Sequence, residues 1–313
     1  MTTIREIEIH ARNMRENIVR MLVAAGSGHP AGALGLADIY AALFFDVLHY
    51  DRDNPESPDR DILVISNGHT VPVFYAALAE IGAIPESELL TLRKFGSRLQ
   101  GHPERKSLPW IETTSGPLGC GLSQVAGMAY ALKYWKVSGA NLTSARLSKD
   151  GERVSEKTRD DGLDERRGSN GSARGLQRFV YCMVGDGELD EGNNWEALMF
   201  AAKNRLGNLI AVIDRNHIQI DGDTEDVMPL EPLDDKFRAF GWQVIQIDGN
   251  NPESFIDACA MARAETDCPT AILAYTVPGK GVSFMENDYT WHGKTPNPEQ
   301  AQKALNELEA EKL

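Results

Sequence analysis

The stretch YCMVGDGELDEGNNWEA, Tyr181 to Ala197, sets an apolar run against two acids bracketed by glycines, then adds further acids and a helical pattern. Residues directly after a buried parallel strand face the ligand crevice at the carboxyl end of the sheet, and Asp186 is such a residue. Gly185 and Gly187 permit a tight turn and a close approach of backbone to ligand, and the helix opening near Glu191 aims its amide-rich end at the same crevice. That environment suits an anion, yet a carboxylate stands in it. A diphosphate and a carboxylate coexist there only with a hard cation between them, and magnesium takes one or two protein oxygens plus phosphate oxygens. Asp186 therefore reads as a ligand for Mg2+, or for another divalent cation such as Ca2+ or Mn2+. The next apolar run, LIAVIDRNHIQIDG, places Asn216 30 positions beyond Asp186, room for one strand, one helix and the following strand. Asn216 then offers its amide oxygen and Ile218 its backbone carbonyl. Taken alone, G-D-G is common in ordinary turns, and it is the strand before it, the acids after it and the spaced Asn216 that favour the ligand reading.

Four of the seven histidines, His29, His69, His102 and His292, sit beside Gly or Pro in turn-like contexts. A single loop histidine is usually a surface residue. Imidazole also donates to phosphate and hydroxyl oxygens and exchanges a proton near neutral pH, as chemistry on a polyhydroxylated sugar requires. His10 and His49 read as helix-surface residues without a role. His217 lies between two of the inferred metal positions, with its side chain free to point either way.

The elements that position these residues follow from hydrophobic periodicity. Apolar runs at 61–66, 178–184, 209–214, 242–248 and 270–276 read as strands. Helical spacing predicts helices over 4–25, 35–48, 70–81, 117–136, 191–206, 251–266 and 297–311. The alternation predicts an α/β fold, a doubly wound parallel sheet with helices on both faces. One segment, 138–178, has almost no large apolar residues and mixes both charge signs with Gly and Ser, so it reads as a mobile insertion: a tolerated surface excursion, or an arm or lid.

The 313 residues suffice for one large domain with an ample core, and a formal charge of −14 disfavours nucleic acid and anionic membrane as partners. Cys120, Cys182, Cys259 and Cys268 have no C-x-x-C spacing and read as small buried thiols. The amphipathic start is not a signal segment, which gives a cytoplasmic expectation.

The pair GDGELDEGNNWEA and DRNHIQIDG resembles the thiamine diphosphate signature, and five further motifs resemble transketolases: SGHPAGALG (27–35), SNGHTVP (66–72), GHPE (101–104), TTSGPLGCGL (113–122) and PGKGVSFMENDYTWHGKTP (278–296). The resemblance spans nearly the whole chain. It implies the thiamine diphosphate-binding fold, residues 1–313 forming a single diphosphate-binding domain, and transfer of a two-carbon ketol unit from a ketose to an aldehyde. It implies that His69 and His292 approach the cofactor diphosphate, His29 and His292 the substrate's C3 hydroxyl, and His102 its C1 hydroxyl. Gly116, Pro117 and Leu118 match the family's turn beside the cofactor, and a rigid turn starting the following helix is a compatible second reading of those residues. Gly185, Asp186, Gly187, Glu188 and Asn216 complete the implied cofactor set. The pyrimidine-binding and C-terminal domains are expected on a second subunit, together with the glutamate that activates the cofactor, in an α2β2 heterotetramer acting on sugar phosphates or related sugars. Ala31 departs from the family's S-G-H-P-G-G and trims either packing near His29 or the donor pocket. The competing readings are a 2-oxo acid dehydrogenase subunit, another thiamine carboligase, or a non-catalytic scaffold subunit.

Overall fold

The computed structural model describes residues 2–134 and 177–310. The insertion expected over 138–178 lies outside the described residues except for Gln177 and Arg178. Strands β1 (Ile62–Ile65), β2 (Val180–Gly185) and β3 (Leu209–Arg215), a short antiparallel pair β4 (Ile218–Gln219) and β5 (Gly222–Asp223), then β6 (Gln243–Asp248) and β7 (Thr270–Tyr275) follow in sequence. The main sheet is parallel throughout, in the order β1-β2-β3-β7-β6. The helices are α1 (Ile4–Ala25), α2 (Pro30–Gly35), α3 (Ala37–Ala42), α4 (Val71–Glu80), α5 (Cys120–Tyr134), α6 (Gly192–Lys203), α7 (Thr224–Val227), α8 (Leu233–Ala239), α9 (Pro252–Ala264) and α10 (Pro298–Ala310).

Alternate strand residues feed two cores, as the pleat requires. Tyr181, Met183, Ile210, Val212 and Ile272 pack with the face that carries α1, α3, α4, α9 and α10. Val180, Cys182, Val184, Ala211 and Ile213 pack with the opposite face, which carries α5, α6 and α8. Both faces are covered, which is why these strands read as continuous apolar runs rather than alternating ones. The chain leaves β1 for α4 on one face and β2 for α6 on the other, so the ends of this neighbouring pair open a crevice.

The strand and helix expectations agree with these elements to within a few residues, with three differences. The helix expected over 35–48 is shorter, α3 followed by a π-helical turn at Leu43–Val47, and a separate short helix, α2, precedes it over Pro30–Gly35. Gly35 ends α2 against another segment: a Cβ there would lie 2.9 Å from the Val277 carbonyl. The helix expected from 117 begins at Cys120, leaving Gly116–Gly119 as a non-helical turn. The pair β4–β5 and helices α7 and α8 are too short to produce a periodic signal and stand outside the sequence expectations. Ala31 is fully buried in the α1-side core, and its carbonyl accepts from Gly279 N at 2.8 Å, so its methyl adjusts packing rather than the crevice. Of the four cysteines, all free, Cys182 and Cys259 are buried and Cys120 and Cys268 only partly so.

Candidate functional site

The register of β2 on β3 sets Gly185 opposite Asp214, so Asp186 and the 215–218 segment emerge at one level. Asp186 is buried. Its Oδ1 accepts from Gly187 N at 2.8 Å, and its Oδ2 accepts from Arg215 Nη1 at 2.9 Å and from His217 N at 2.8 Å. His217 reaches that position with φ 63, a left-handed conformation for a non-glycine residue. Its ring, which the sequence left free to point either way, packs on Tyr275 with centroids 6.0 Å apart. Asn216 donates through Nδ2 to Asp214 Oδ2 at 2.8 Å and accepts at Oδ1 from Ile218 N at 3.0 Å.

The bond from His217 N thus sets Asp186 beside the 216–218 segment that carries the other two candidate ligands. The donor set of carboxylate, amide oxygen and backbone carbonyl is all oxygen, the chemistry a hard cation selects. Among the described residues no three His, Cys, Asp or Glu side chains converge as a self-sufficient metal cage. One carboxylate leaves such a cation half of its charge, which a diphosphate would neutralise.

Arg215, which the sequence reading passed over, is fully buried. Beyond Asp186 it donates to Thr224 Oγ1 at 2.7 Å, Glu225 Oε1 at 2.6 Å and Glu231 Oε1 at 2.9 Å, tying α7 and the following loop to the end of β3. An arginine ending an apolar strand was the available signal, because a buried guanidinium must find anions. Burial raises the Asp186 pKa and Arg215 pulls it back down. Burial pushes Asp214 up to about 7, with the Asp186 charge adding to the rise against a hydrogen bond from Thr276.

Glu188 does not present its carboxylate to the crevice as a cofactor-binding residue would. It is buried and accepts from Ser66 Oγ, from Gly119 N at 2.6 Å and from Gly185 N at 3.2 Å. These three donors come from the ends of β1 and β2 and from the 116–119 turn, so Glu188 is a brace that fixes the turn against the sheet. Gly119, at φ 84, has no room for a side chain: a Cβ would stand 2.4 Å from Asn193 Oδ1. A Cβ on Gly116 would meet nothing within 4 Å, and Leu118 is partly exposed, so the braced turn offers an open face.

The four motif histidines come from four separate segments and converge. His29 precedes α2, His69 lies in the turn after β1, His102 is in the 101–104 loop and His292 follows the 289–291 turn. Ring centroids are 5.1 Å apart for His29 and His69, 5.6 Å for His29 and His292, 5.0 Å for His69 and His292, and 6.4 Å for His29 and His102. Gly68 allows the approach: a Cβ there would lie 3.3 Å from His102 Cδ2 and 2.2 Å from Ser115 Oγ. Burial lowers the pKa of all four, taking His29 down to about 4 with help from His292, Arg93 and His102. At neutral pH the cluster is therefore uncharged, each ring able to donate at one nitrogen and accept at the other. Arg93, a second residue that sequence reasoning missed, has φ 60 and sets its guanidinium between Gly28 and Gly101, beside His29 and His102.

Among known proteins, the chain matches the family model described as transketolase, thiamine diphosphate binding domain, over residues 9–149 and 163–310. It is 36% identical over 306 residues to the 6-deoxy-6-sulfo-D-fructose transketolase subunit SqwG of Clostridium sp. (strain MSTE9), covering 98% of this chain and 97% of that protein. It is 34% identical over 307 residues to one of the subunits of the apulose-4-phosphate transketolase of Actinobacillus succinogenes, again covering 98% and 97%. Human transketolase is 35% identical over 302 residues, which are 95% of this chain but 41% of that protein. The solved transketolase from Leishmania mexicana superposes with a TM-score of 0.79 at 30% identity, covering 97% of this chain and 41% of that one. The chain thus spans less than half the length of the longer relatives and nearly all of the two named as subunits.

Proposed function

The chain belongs to the transketolase family, matched over its thiamine diphosphate-binding domain, and from that premise we propose that it is the diphosphate-binding subunit of a two-chain transketolase. The reaction is transfer of a two-carbon ketol unit from a ketose to an aldehyde. The observation that carries this reading is the convergence of four neutral imidazoles beside the glycine-flanked Asp186 turn. A 2-oxo acid dehydrogenase subunit has no evident use for several imidazoles placed to read sugar hydroxyls.

Thiamine diphosphate supplies the electron sink for breaking and making the carbon–carbon bond. The chain's own residues bind, orient and move protons. Asp186, Asn216 and the Ile218 carbonyl hold the divalent cation, magnesium by preference, with Arg215 fixing the Asp186 carboxylate from behind. Gly185 and Gly187 leave the backbone open to the diphosphate, and Gly116, Pro117 and Leu118 present the braced turn. His69 and His292 donate to the diphosphate. His29 and His292 accept the proton of the donor's C3 hydroxyl, and His102 holds the C1 hydroxyl. Their depressed basicity rises once an anionic diphosphate lies beside them, since a nearby negative charge favours imidazolium.

The donor is a ketose phosphate or a modified ketose, a class supported by two relatives whose names specify a sulfo-sugar and apulose 4-phosphate. The same relatives are named as subunits, which supports a second chain carrying the pyrimidine-binding and C-terminal domains in an α2β2 assembly. Turnover of a ketose with an aldose acceptor, assayed for this chain alone and mixed with its second subunit, tests the reading. Activity is expected only in the mixture and is lost with Asp186→Ala. Comparable turnover by the chain alone contradicts it.

A further inference from the structure

Asn67 ends the turn that carries the chain from β1 toward His69, and it is 1% exposed. Neither Oδ1 nor Nδ2 of its carboxamide has a hydrogen-bond partner among the described residues. A buried amide with neither donor nor acceptor satisfied is costly, on the order of 1–3 kcal/mol. Native interiors retain such groups where a ligand or ordered water completes them. The position narrows the choice. A Cβ built on Gly185, the first glycine of G-D-G, would lie 3.6 Å from the Asn67 Cβ, so the side chain roots at the crevice between the ends of β1 and β2. The neighbouring Ser115 Oγ, beside Gly68, is likewise buried and without a partner among the described residues. Two unsatisfied polar groups thus adjoin a turn built for close backbone approach.

Resting on the cofactor reading above, we propose that Asn67 is a further diphosphate-binding residue, its Nδ2 donating to a phosphate oxygen of thiamine diphosphate. Its Oδ1 would be left to accept from an ordered water. The carboxamide is neutral and can do both, whereas a carboxylate at this place would repel the diphosphate and an aliphatic side chain would offer it nothing. The cofactor-free chain therefore retains a destabilising residue for the sake of a bond made only in the complex.

The sign of two measurements tests this. Asn67→Leu, with Asn67→Ala as a second variant, is compared with wild type by thermal melting without cofactor. Magnesium thiamine diphosphate is then titrated by calorimetry into the full chain, alone and with its second subunit. We expect Asn67→Leu to melt at the wild-type temperature or above while its affinity for thiamine diphosphate falls roughly 10- to 100-fold, the loss of a hydrogen bond to a charged group. A purely structural asparagine, satisfied by buried water, gives the reverse pattern of a lower melting temperature and unchanged affinity, and that result overturns the proposal. So does unchanged affinity with a raised melting temperature. Wild type that binds no thiamine diphosphate in either preparation overturns the cofactor site as a whole, a different result from a variant that binds as well as wild type.

Discussion

At the scale of single residues, Arg215 is the cation that offsets the burial of the Asp186 carboxylate. It is fully buried with Asp186, Glu225 and Glu231 as its counter-charges, and removing one side of a buried pair strands the other. Arg215→Met is expected to lower stability by about 3–5 kcal/mol, read from urea unfolding of the cofactor-free chain. An unchanged midpoint would mean that Asp186 is compensated some other way. The histidines give a pH dependence of definite sign. His29 is held at about 4 against an ordinary 6.5, chiefly by burial, so the unfolded chain binds the extra proton first. The associated stability is complete above 6.5 and is lost as pH falls from there toward 4. His29→Asn is expected to flatten the fall of the urea midpoint across that window and to leave the midpoint's pH dependence above neutrality unaltered. A variant curve parallel to wild type through the whole window would refute the assignment.

At the scale of elements, glycines decide how closely the segments approach. Gly68→Ala would put a methyl 2.2 Å from Ser115 Oγ and 3.1 Å from Pro103 Cδ, forcing the β1 turn away from the loop that carries His102. We expect a loss of about 1–3 kcal/mol in stability and a larger proportional loss of ketol transfer, measured by melting and by steady-state assay. Equal activity would show that the spacing of His69 and His102 is not critical. The same scale explains what the sequence disclosed. The runs at β2, β3 and β7 are buried on both faces, and that is how they read. Asp186, Asn216 and the four histidines were legible as candidates because their motifs occur together at strand ends and turns, although each motif alone fits an ordinary turn or a surface residue. Arg215, Arg93, Asn67 and the bracing role of Glu188 were not, because each depends on which strand end or loop lies opposite, and that is set by the β1-β2-β3 order rather than by neighbours in sequence. The separation of α2 from α3 after Gly35 was hidden for the same reason: the Val277 carbonyl that crowds Gly35 comes from a segment remote along the chain.

At the scale of the whole molecule, the chain has a five-stranded parallel sheet with two covered faces and a crevice at its strand ends, yet it spans only 41% of a transketolase such as the human one. Among the described residues no helix is long and apolar enough to cross a membrane. The most direct test of the central claim, that this crevice anchors thiamine diphosphate through a cation on Asp186, is calorimetric titration of thiamine diphosphate into the chain mixed with its second subunit. It is run with magnesium, with chelator, and with Asp186→Ala. The account predicts tight binding that requires magnesium and disappears in the variant. Binding of equal strength without the metal, or in Asp186→Ala, would contradict it.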